Sequence, residues 1–341
     1  MNRKFCQSFW LVAGIFLVPG VYAETEQDTD PAPAEVVGKS AHPCTHHSDR
    51  NGWVDRTHSW MSRTVCGPSR WVDGFFGGPN EVYSEEPGTQ LRVIGASRFQ
   101  EHDGDESELK VRARVELPNA QHRLSLMFRN DDDTSDELRN DLDSRPEEVG
   151  ENNTGYRAAL RWMVNMPDRM DVDLDAGVRS ELTAFVRGRY RFTTPVGNTL
   201  ATFRFTEKMY WEDPDGFGAN SLFEIDRPFT ERSTVRLASE WEISEEFNEM
   251  ERGWYFNQSA SVYFRLGDQS GIGASAGFDG FTSPVSAVKT WRTSVRFRRS
   301  VWRPWFFYEV EPYVFWPREE NYKGVSGVVL RLEVQAGLPY H

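Results

Sequence analysis

Side chains that could bind a metal are concentrated near the start of the chain, in HPCTHHSDRNG at residues 42–52. The stretch contains three histidines and one cysteine: His42, His46, His47 and Cys44. Imidazole and thiolate are the ligands that zinc prefers. Cys44 and Cys66, however, are the two cysteines that follow residue 23, and in an exported chain two cysteines most simply form one disulfide. A cysteine in a disulfide cannot bind a metal, so we expect no metal site and no cofactor.

A second candidate for ion binding is the acidic run DDDTSDE at residues 131–137. Carboxylates at close spacing are typical of calcium loops, but this run has neither the glycine nor the closing glutamate at the required spacing. A solvated acidic loop is the better interpretation.

The most regular arrangement of charges lies in DVDLDAGVRSELTAFVRGRYRF, residues 171–192. The even positions are apolar or small for most of its length. The charged residues at odd positions include Asp171, Asp173, Asp175, Arg187, Arg189 and Arg191. A period of two predicts β-strands, because successive side chains point to opposite faces. Such strands have one apolar face and one fully charged face.

The composition limits the class of protein that can use such strands. The chain has 341 residues and a formal charge of −13, which argues against nucleic acid as a partner. Aromatic residues reach 13%, yet charged residues make up 27% and the mean hydropathy is −0.61. This combination is unusual for a packed soluble core and is expected where apolar and charged residues alternate.

The beginning of the sequence predicts export. Residues 1–23 combine Arg3 and Lys4, an apolar run and a small residue at Ala23, which is typical of a cleavable secretory signal. An uncleaved anchor is the alternative, although the apolar run is short for a membrane span. Residues 24–41 are acidic and rich in proline and alanine, which predicts a disordered linker. Residues 42–88 predict a small element tied by a Cys44–Cys66 disulfide, on the periplasmic side or as a plug.

From residue 89 to 341, period-two segments separated by polar breaks predict an all-β domain. We predict fourteen strands, with twelve as the alternative because the 178–181 connection is very tight. Their predicted bounds are 91–99, 108–117, 122–130, 154–164, 169–178, 181–192, 199–211, 221–227, 233–243, 253–266, 271–279, 288–299, 305–315 and 326–338.

The breaks between these strands alternate in length. Short turns are predicted at 118–121, 165–168, 194–198 and 267–271, and longer polar loops at 130–153, 212–220, 244–252 and 316–325. Short turns on one rim and long loops on the other are typical of bacterial outer-membrane barrels. An even number of strands returns both ends of the barrel to the periplasmic side. A soluble β-sandwich is the alternative, and it accounts less well for apolar faces that recur on every strand.

In these features the chain resembles the β-barrel proteins of Gram-negative outer membranes as a class, over residues 91–341. The resemblance implies a transmembrane antiparallel β-barrel in the outer membrane. It also implies outer-membrane lipid, periplasmic chaperones and the barrel-assembly machinery as partners. The oligomeric state is left open.

The charged faces of the predicted strands would then face the inside of the barrel, the lumen. The predicted lumen residues are Arg112, Arg114, Arg157, Arg161, Asp171, Asp173, Asp175, Arg187, Arg189, Arg191, Glu309 and Glu311. Acidic and basic strands alternate as neighbours, so cross-strand ion pairs should cover the wall. These pairs are expected to stiffen the lumen, and a charge-lined selective channel is the second interpretation, which is compatible with the first.

His46 and Ser48 loosely resemble the His-x-Ser motif of outer-membrane lipid hydrolases, in which a histidine activates a serine that attacks an ester. Here the pair precedes the first predicted strand, so a polar loop beside the disulfide is favoured. Three functions therefore stay open. A narrow, charge-lined channel for small polar solutes is preferred, a non-conducting structural or interaction barrel comes second, and a lipid hydrolase is third.

Overall fold

The structure is a computed structural model that describes residues 90–101, 104–117, 124–130, 145–149, 155–164, 169–197, 199–303 and 305–336. The predicted signal peptide, the linker at 24–41 and the segment at 42–88 lie outside these ranges. Nothing in the described residues therefore bears on the Cys44–Cys66 disulfide.

Fourteen antiparallel strands close into a single barrel, in which each strand pairs with its neighbours in the sequence and β14 pairs with β1. Their bounds are β1 Gln90–Gln100, β2 Glu106–Glu116, β3 Leu124–Arg129, β4 Arg157–Val164, β5 Met170–Arg179, β6 Ala184–Pro195, β7 Thr202–Glu212, β8 Gly216–Thr230, β9 Ser233–Ser244, β10 Tyr255–Gly267, β11 Ser270–Phe281, β12 Ala287–Ser300, β13 Phe306–Pro317 and β14 Val325–Ala336. The prediction of fourteen strands is confirmed, and the alternative of twelve is wrong.

The barrel wall has the opposite polarity to that of a soluble protein, because apolar side chains point outward and charged side chains point inward. On β5, Leu174 points outward with 42% of its surface exposed, whereas Asp175 points inward and is only 4% exposed. Outward aromatic side chains pack against each other across neighbouring strands, as Phe278 does with Trp291 at 4.7 Å between ring centroids. An apolar exterior around a charged interior is stable only where the exterior meets lipid.

Connections differ between the two rims. On the rim where β1 begins, β8 and β9 are joined by residues 231–232, and β10 and β11 by residues 268–269. On the opposite rim, residues 245–254 and 318–324 form longer connections, as predicted.

The predicted long loop at 212–220 is wrong, because β8 already begins at Gly216 and only three residues separate it from β7. The inward positions at the start of β8 are Gly216 and Gly218, which carry no charge and therefore gave no alternating signal. Gly218 is required there for space: a Cβ atom would collide with the ring of Tyr210 on β7.

Helical structure in the described ranges is confined to short pieces. Helix α1, Glu245–Glu249, follows β9 and is capped by the Ser244 hydroxyl, which accepts a hydrogen bond from the Phe247 amide at 3.1 Å. The tight connection between β5 and β6 is a single 3-10 turn at Ser180–Leu182, which Leu182 closes with a left-handed φ of 60°. No helix within the described ranges is long and apolar enough to cross a membrane.

Candidate functional site: the inner wall of the barrel

The structure places the twelve predicted lumen residues on the inward-facing positions of their strands. Ten of them are buried, Arg112 is partly exposed, and Asp171, near the start of β5, is exposed. Burial of charged side chains is tolerated only where each finds a partner. The contacts of these residues therefore describe the chemistry of the wall.

The acidic strand β5 lies between two basic strands, and its carboxylates bind arginines on both sides. Arg161 of β4 donates two hydrogen bonds to Asp175, from Nε to Oδ1 at 2.7 Å and from Nη2 to Oδ2 at 2.8 Å. Arg187 of β6 donates to the same carboxylate at 2.7 Å. One step along the strand, Arg189 donates to Asp173 at 2.6 Å. Asp175 thus holds two buried guanidinium groups, which fixes three strands to one another.

A second network joins the last three strands to β1. Glu333 of β14 accepts hydrogen bonds from Arg92 of β1, at 2.5 and 3.0 Å, and from Arg298 of β12 at 2.8 Å. Arg298, none of whose surface is exposed, also pairs with Glu309 of β13. Glu311 lies beside these groups and pairs with Arg296 at 3.0 Å. The seam at which the barrel closes is therefore bridged by charged side chains on the inside.

A third network covers β7 to β10 and is richer in acids and amides. Arg236 of β9 forms a two-bonded pair with Asp226 of β8, at 2.6 and 2.8 Å. Glu240 accepts from the side-chain amides of Asn220 at 2.9 Å and Asn257 at 3.2 Å. This part of the wall offers carboxylate and amide groups rather than a run of arginines.

A short piece of the connection between β3 and β4 lies inside the barrel. Residues 145–149, which we call the inward segment, include a 3-10 turn at Pro146–Glu148. Val149 is buried against Ala96, Tyr313 and Val329, which belong to β1, β13 and β14. Because β13 lies four strands from β3 around the ring, the chain has to reach across the lumen to make this contact. The inward segment therefore narrows the lumen.

Charged groups hold the inward segment in place. Arg292 of β12 pairs with the Glu147 carboxylate at 3.0 Å, and Arg98 of β1 donates to the Glu147 backbone oxygen. Burial raises the pKa of Glu147, and this effect outweighs the attraction of Arg292 that lowers it. The guanidinium of Arg145 lies over the ring of Tyr255, 5.3 Å from its centroid.

Several of these residues were not singled out from the sequence. Glu147 and Arg145 lie in a polar connection between strands, and their spacing carries no sign that the chain turns inward. Arg92 and Arg129 could have been found, because each alternates with apolar residues along its strand.

The other predicted site residues lie outside the described ranges. These are His46 and Ser48, considered for ester hydrolysis, and Cys44 and Cys66, considered for the disulfide. Within the part of the chain that the structure describes, no group of three His, Cys, Asp or Glu side chains could hold a metal ion.

A closed barrel with an even number of antiparallel strands, an apolar exterior and a charged interior is the architecture of outer-membrane β-barrel proteins. That is the class of fold to which this chain conforms. Its inner wall presents fixed charges and amide groups that could guide or bind polar solutes.

Similarity to known proteins is found among solved structures. No family model and no curated protein matches the chain. Among solved structures it is similar to Pseudomonas putida OprB, with a TM-score of 0.47, 9% identity, and coverage of 76% of this chain and 96% of that one. It is also similar to the CymD monoaromatic hydrocarbon channel, with a TM-score of 0.45, 9% identity, and coverage of 78% and 91%. The KdgM porin gives a TM-score of 0.36, 6% identity, and coverage of 73% and 99%.

Proposed function

We propose that this protein is an outer-membrane channel of a Gram-negative bacterium that passes small polar solutes through a lumen narrowed by the inward segment. The observation that supports this most directly is the charged inner wall. Inward charges run from Arg92 near one rim to Arg179 at the other, and such a wall favours water and polar solutes over lipid.

A non-conducting barrel is the second candidate, and the tight ion pairing of the inner wall favours it. Networks such as Arg161–Asp175–Arg187 and Arg298–Glu333–Arg92 stiffen the wall whether or not solutes pass. Hydrolysis by His46 and Ser48 gains no support from the described residues.

Single-channel recording in planar bilayers separates the first two candidates. Ser275 lies on an inward position in the middle of β11, and the next residue, Ala276, lies on the outward face. We expect discrete conductance steps from the wild type. In Ser275→Cys, a charged, water-soluble thiol reagent should reduce the step size, whereas in Ala276→Cys and in the wild type the same reagent should have no effect.

Absence of conductance steps from correctly folded protein would favour the non-conducting barrel. Equal sensitivity of Ser275→Cys and Ala276→Cys to the reagent would show that the current does not follow the lumen.

A further inference from the structure

Polar side chains interrupt the apolar outer face of the barrel on four neighbouring strands. They are Glu207 of β7, Ser221 of β8, Ser239 of β9 and Gln258 of β10. In each case a residue next to it in the chain is buried in the inner wall, so the alternation of the strand places these four on outward positions. We call them the outer polar patch.

Glu207 places a carboxylate in the middle of a strand whose outer face meets lipid. It lies five residues from either end of β7, whereas outward charges such as Arg227 and Arg299 lie within three residues of a strand end. Ser221 donates a hydrogen bond to Glu207 Oε2 at 2.5 Å, and within the described ranges no donor reaches Oε1. A carboxylate oxygen that faces hydrocarbon without a donor is unfavourable.

Gln258 has the complementary deficiency, because it lacks an acceptor. Its side-chain Nε2 is buried and has no hydrogen-bond partner among the residues that the structure describes. It stands opposite Ser239, whose hydroxyl accepts a hydrogen bond from the Trp241 indole at 3.0 Å. The acyl chains of lipid offer no acceptor, so lipid would leave the Gln258 donor unsatisfied.

A groove lies on one side of the outer polar patch, towards β11. It has a volume of about 570 Å³, and its lining includes the small side chains of Ala260 and Ala276 and the rings of Phe278 and Trp291. Small outward residues between aromatic rings leave space for side chains that protrude from another molecule.

The surface on the other side of the outer polar patch carries large side chains instead. Tyr190 of β6 and Phe205 of β7 point outward with their ring centroids 6.4 Å apart, and Met209 is 61% exposed. Tyr190 lies six residues from the long-loop end of its strand, and Ala260 in the groove lies five residues from that end of β10. The large side chains and the groove therefore lie at similar depths in the membrane.

We propose that the outer polar patch and the groove form an interface at which two copies of this chain pair within the membrane. A twofold axis parallel to the barrel axis, passing between β8 and β9, brings β7 of each copy against β10 of the other. Glu207 of each copy then accepts a hydrogen bond from Gln258 of the partner subunit. The large side chains of β6 and β7 enter the groove of the other copy.

This arrangement satisfies both outward groups with one contact that is made twice. Glu207 lies five residues and Gln258 three residues from the long-loop ends of their strands, so the two groups can meet at one depth. A second copy supplies an acceptor and a donor where lipid supplies neither.

The test is photo-cross-linking of the full-length protein in the outer membrane, with benzoylphenylalanine in place of Phe223 of β8. Phe99 of β1 is the matched control position, because it lies seven strands away and is equally exposed, at 39% against 40% for Phe223. Two versions of the chain with different affinity tags are produced together. We expect a cross-linked species that carries both tags from position 223 and none from position 99.

The variant E207L/Q258L removes the complementary groups and leaves an apolar surface. It should assemble as the wild type does, because leucine is suited to a lipid-facing position. In reconstituted vesicles, half-maximal cross-linking from position 223 should require about tenfold more protein per lipid, because two hydrogen bonds between the copies are lost.

The matched control is S97L/S107L, which removes another pair of outward polar groups. The two hydroxyls bond each other at 2.9 Å across β1 and β2, and their loss should leave the cross-linking unchanged. Assembly of each variant is checked by its anomalous migration on gels without boiling. If E207L/Q258L does not assemble, E207L and Q258L are compared singly, and each should still raise the amount of protein required.

Three outcomes would overturn the proposal. A cross-linked species with a single tag would mean that the partner is a different protein. Cross-links to lipid alone would mean that the outer polar patch is not covered by protein. Equal cross-linking of the wild type and E207L/Q258L would mean that Glu207 and Gln258 do not join the copies. None of these outcomes depends on conductance, so the channel function is tested separately.

Discussion

Arg161 and Asp175 face each other across β4 and β5 and form two parallel hydrogen bonds, at 2.7 and 2.8 Å, inside a wall whose outer face is apolar. Both side chains are almost completely buried. A buried arginine whose partner is removed keeps its charge and loses its stabilisation. The alternation of charged and apolar residues in the sequence therefore places Arg161 and Asp175 on the inner face, where their pairing stabilises the barrel.

The first prediction concerns Asp175. Asp175→Asn leaves Arg161 and Arg187 beside a neutral amide, and we expect a loss of about 3–5 kcal/mol in the free energy of unfolding. Asp171→Asn, on the same face but exposed, should change it by no more than about 0.5 kcal/mol. Urea titration of the barrel in detergent micelles measures both. Equal effects of the two substitutions would contradict the assignment of Asp175 to a buried network.

The second prediction tests which face meets lipid. Ala276→Arg places a charge on the outer face near the middle of β11, and we expect it to cost about 2–4 kcal/mol and to reduce assembly into membranes. Ser275→Arg, one residue earlier, points into the lumen and should assemble better. The yield of heat-modifiable protein in isolated membranes is the measurement. A better yield for Ala276→Arg would mean that the faces are reversed.

The third prediction concerns pH and the inward segment. Burial raises the pKa of Glu147 above the ordinary glutamate value of 4.5 when the inward segment is packed against the wall, that is, docked. At pH values between 4.5 and this raised pKa, the docked segment therefore binds more protons than a segment that has left the wall. Docking should therefore be strongest in acid and weaken as the pH rises through this window. Hydrogen exchange at residues 145–149 should be slower, relative to the intrinsic rate, at the acid end. Glu147→Gln should remove the pH dependence, and an unchanged dependence in that variant would exclude Glu147 as its source.

The fourth prediction compares two glycines in strands. At Gly218 an added Cβ meets the Tyr210 ring, whose hydroxyl donates to Glu242 at 2.7 Å, whereas at Gly95 no atom lies within 4 Å. Gly218→Ala should destabilise the barrel by about 1–3 kcal/mol, as overpacking does. Gly95→Ala should be neutral or slightly stabilising, because alanine loses less backbone entropy than glycine. Thermal loss of the anomalous gel migration provides the comparison, and equal loss in both variants would refute the steric account.

The sequence predicts strands well wherever charge alternates with apolar side chains. In β5 and β6 the charged residues were predicted to share the inward face, and the structure places Asp173 opposite Arg189 and Asp175 opposite Arg187. A one-residue slip there would move every charge into lipid, so the pattern specifies the pairing strongly. Where inward positions are glycine, as at the start of β8, this signal is missing and the strand was predicted too short.

The inward segment could not be predicted for a different reason. Residues 145–149 contact strands far from them in the sequence, and such contacts depend on the closed barrel rather than on local periodicity. Pro146 and Glu147 would be equally suitable in a solvated loop. The inward arginines of β1 to β5 are an intermediate case, because the alternation in the sequence identifies them as inward residues but their alignment with one another requires the register of five strands.

Whether the apolar face of the barrel meets lipid is tested most directly by a nitroxide scan of residues 171–178 in lipid vesicles, with accessibility to oxygen and to a water-soluble nickel complex measured at each position. Oxygen concentrates in lipid, and the nickel complex stays in water. We expect a period of two, with high oxygen accessibility at Val172, Leu174, Ala176 and Val178 and low oxygen accessibility at the positions between them. A uniform profile, or one with oxygen accessibility highest at Asp173 and Asp175, would contradict the barrel whose charged face lines the lumen.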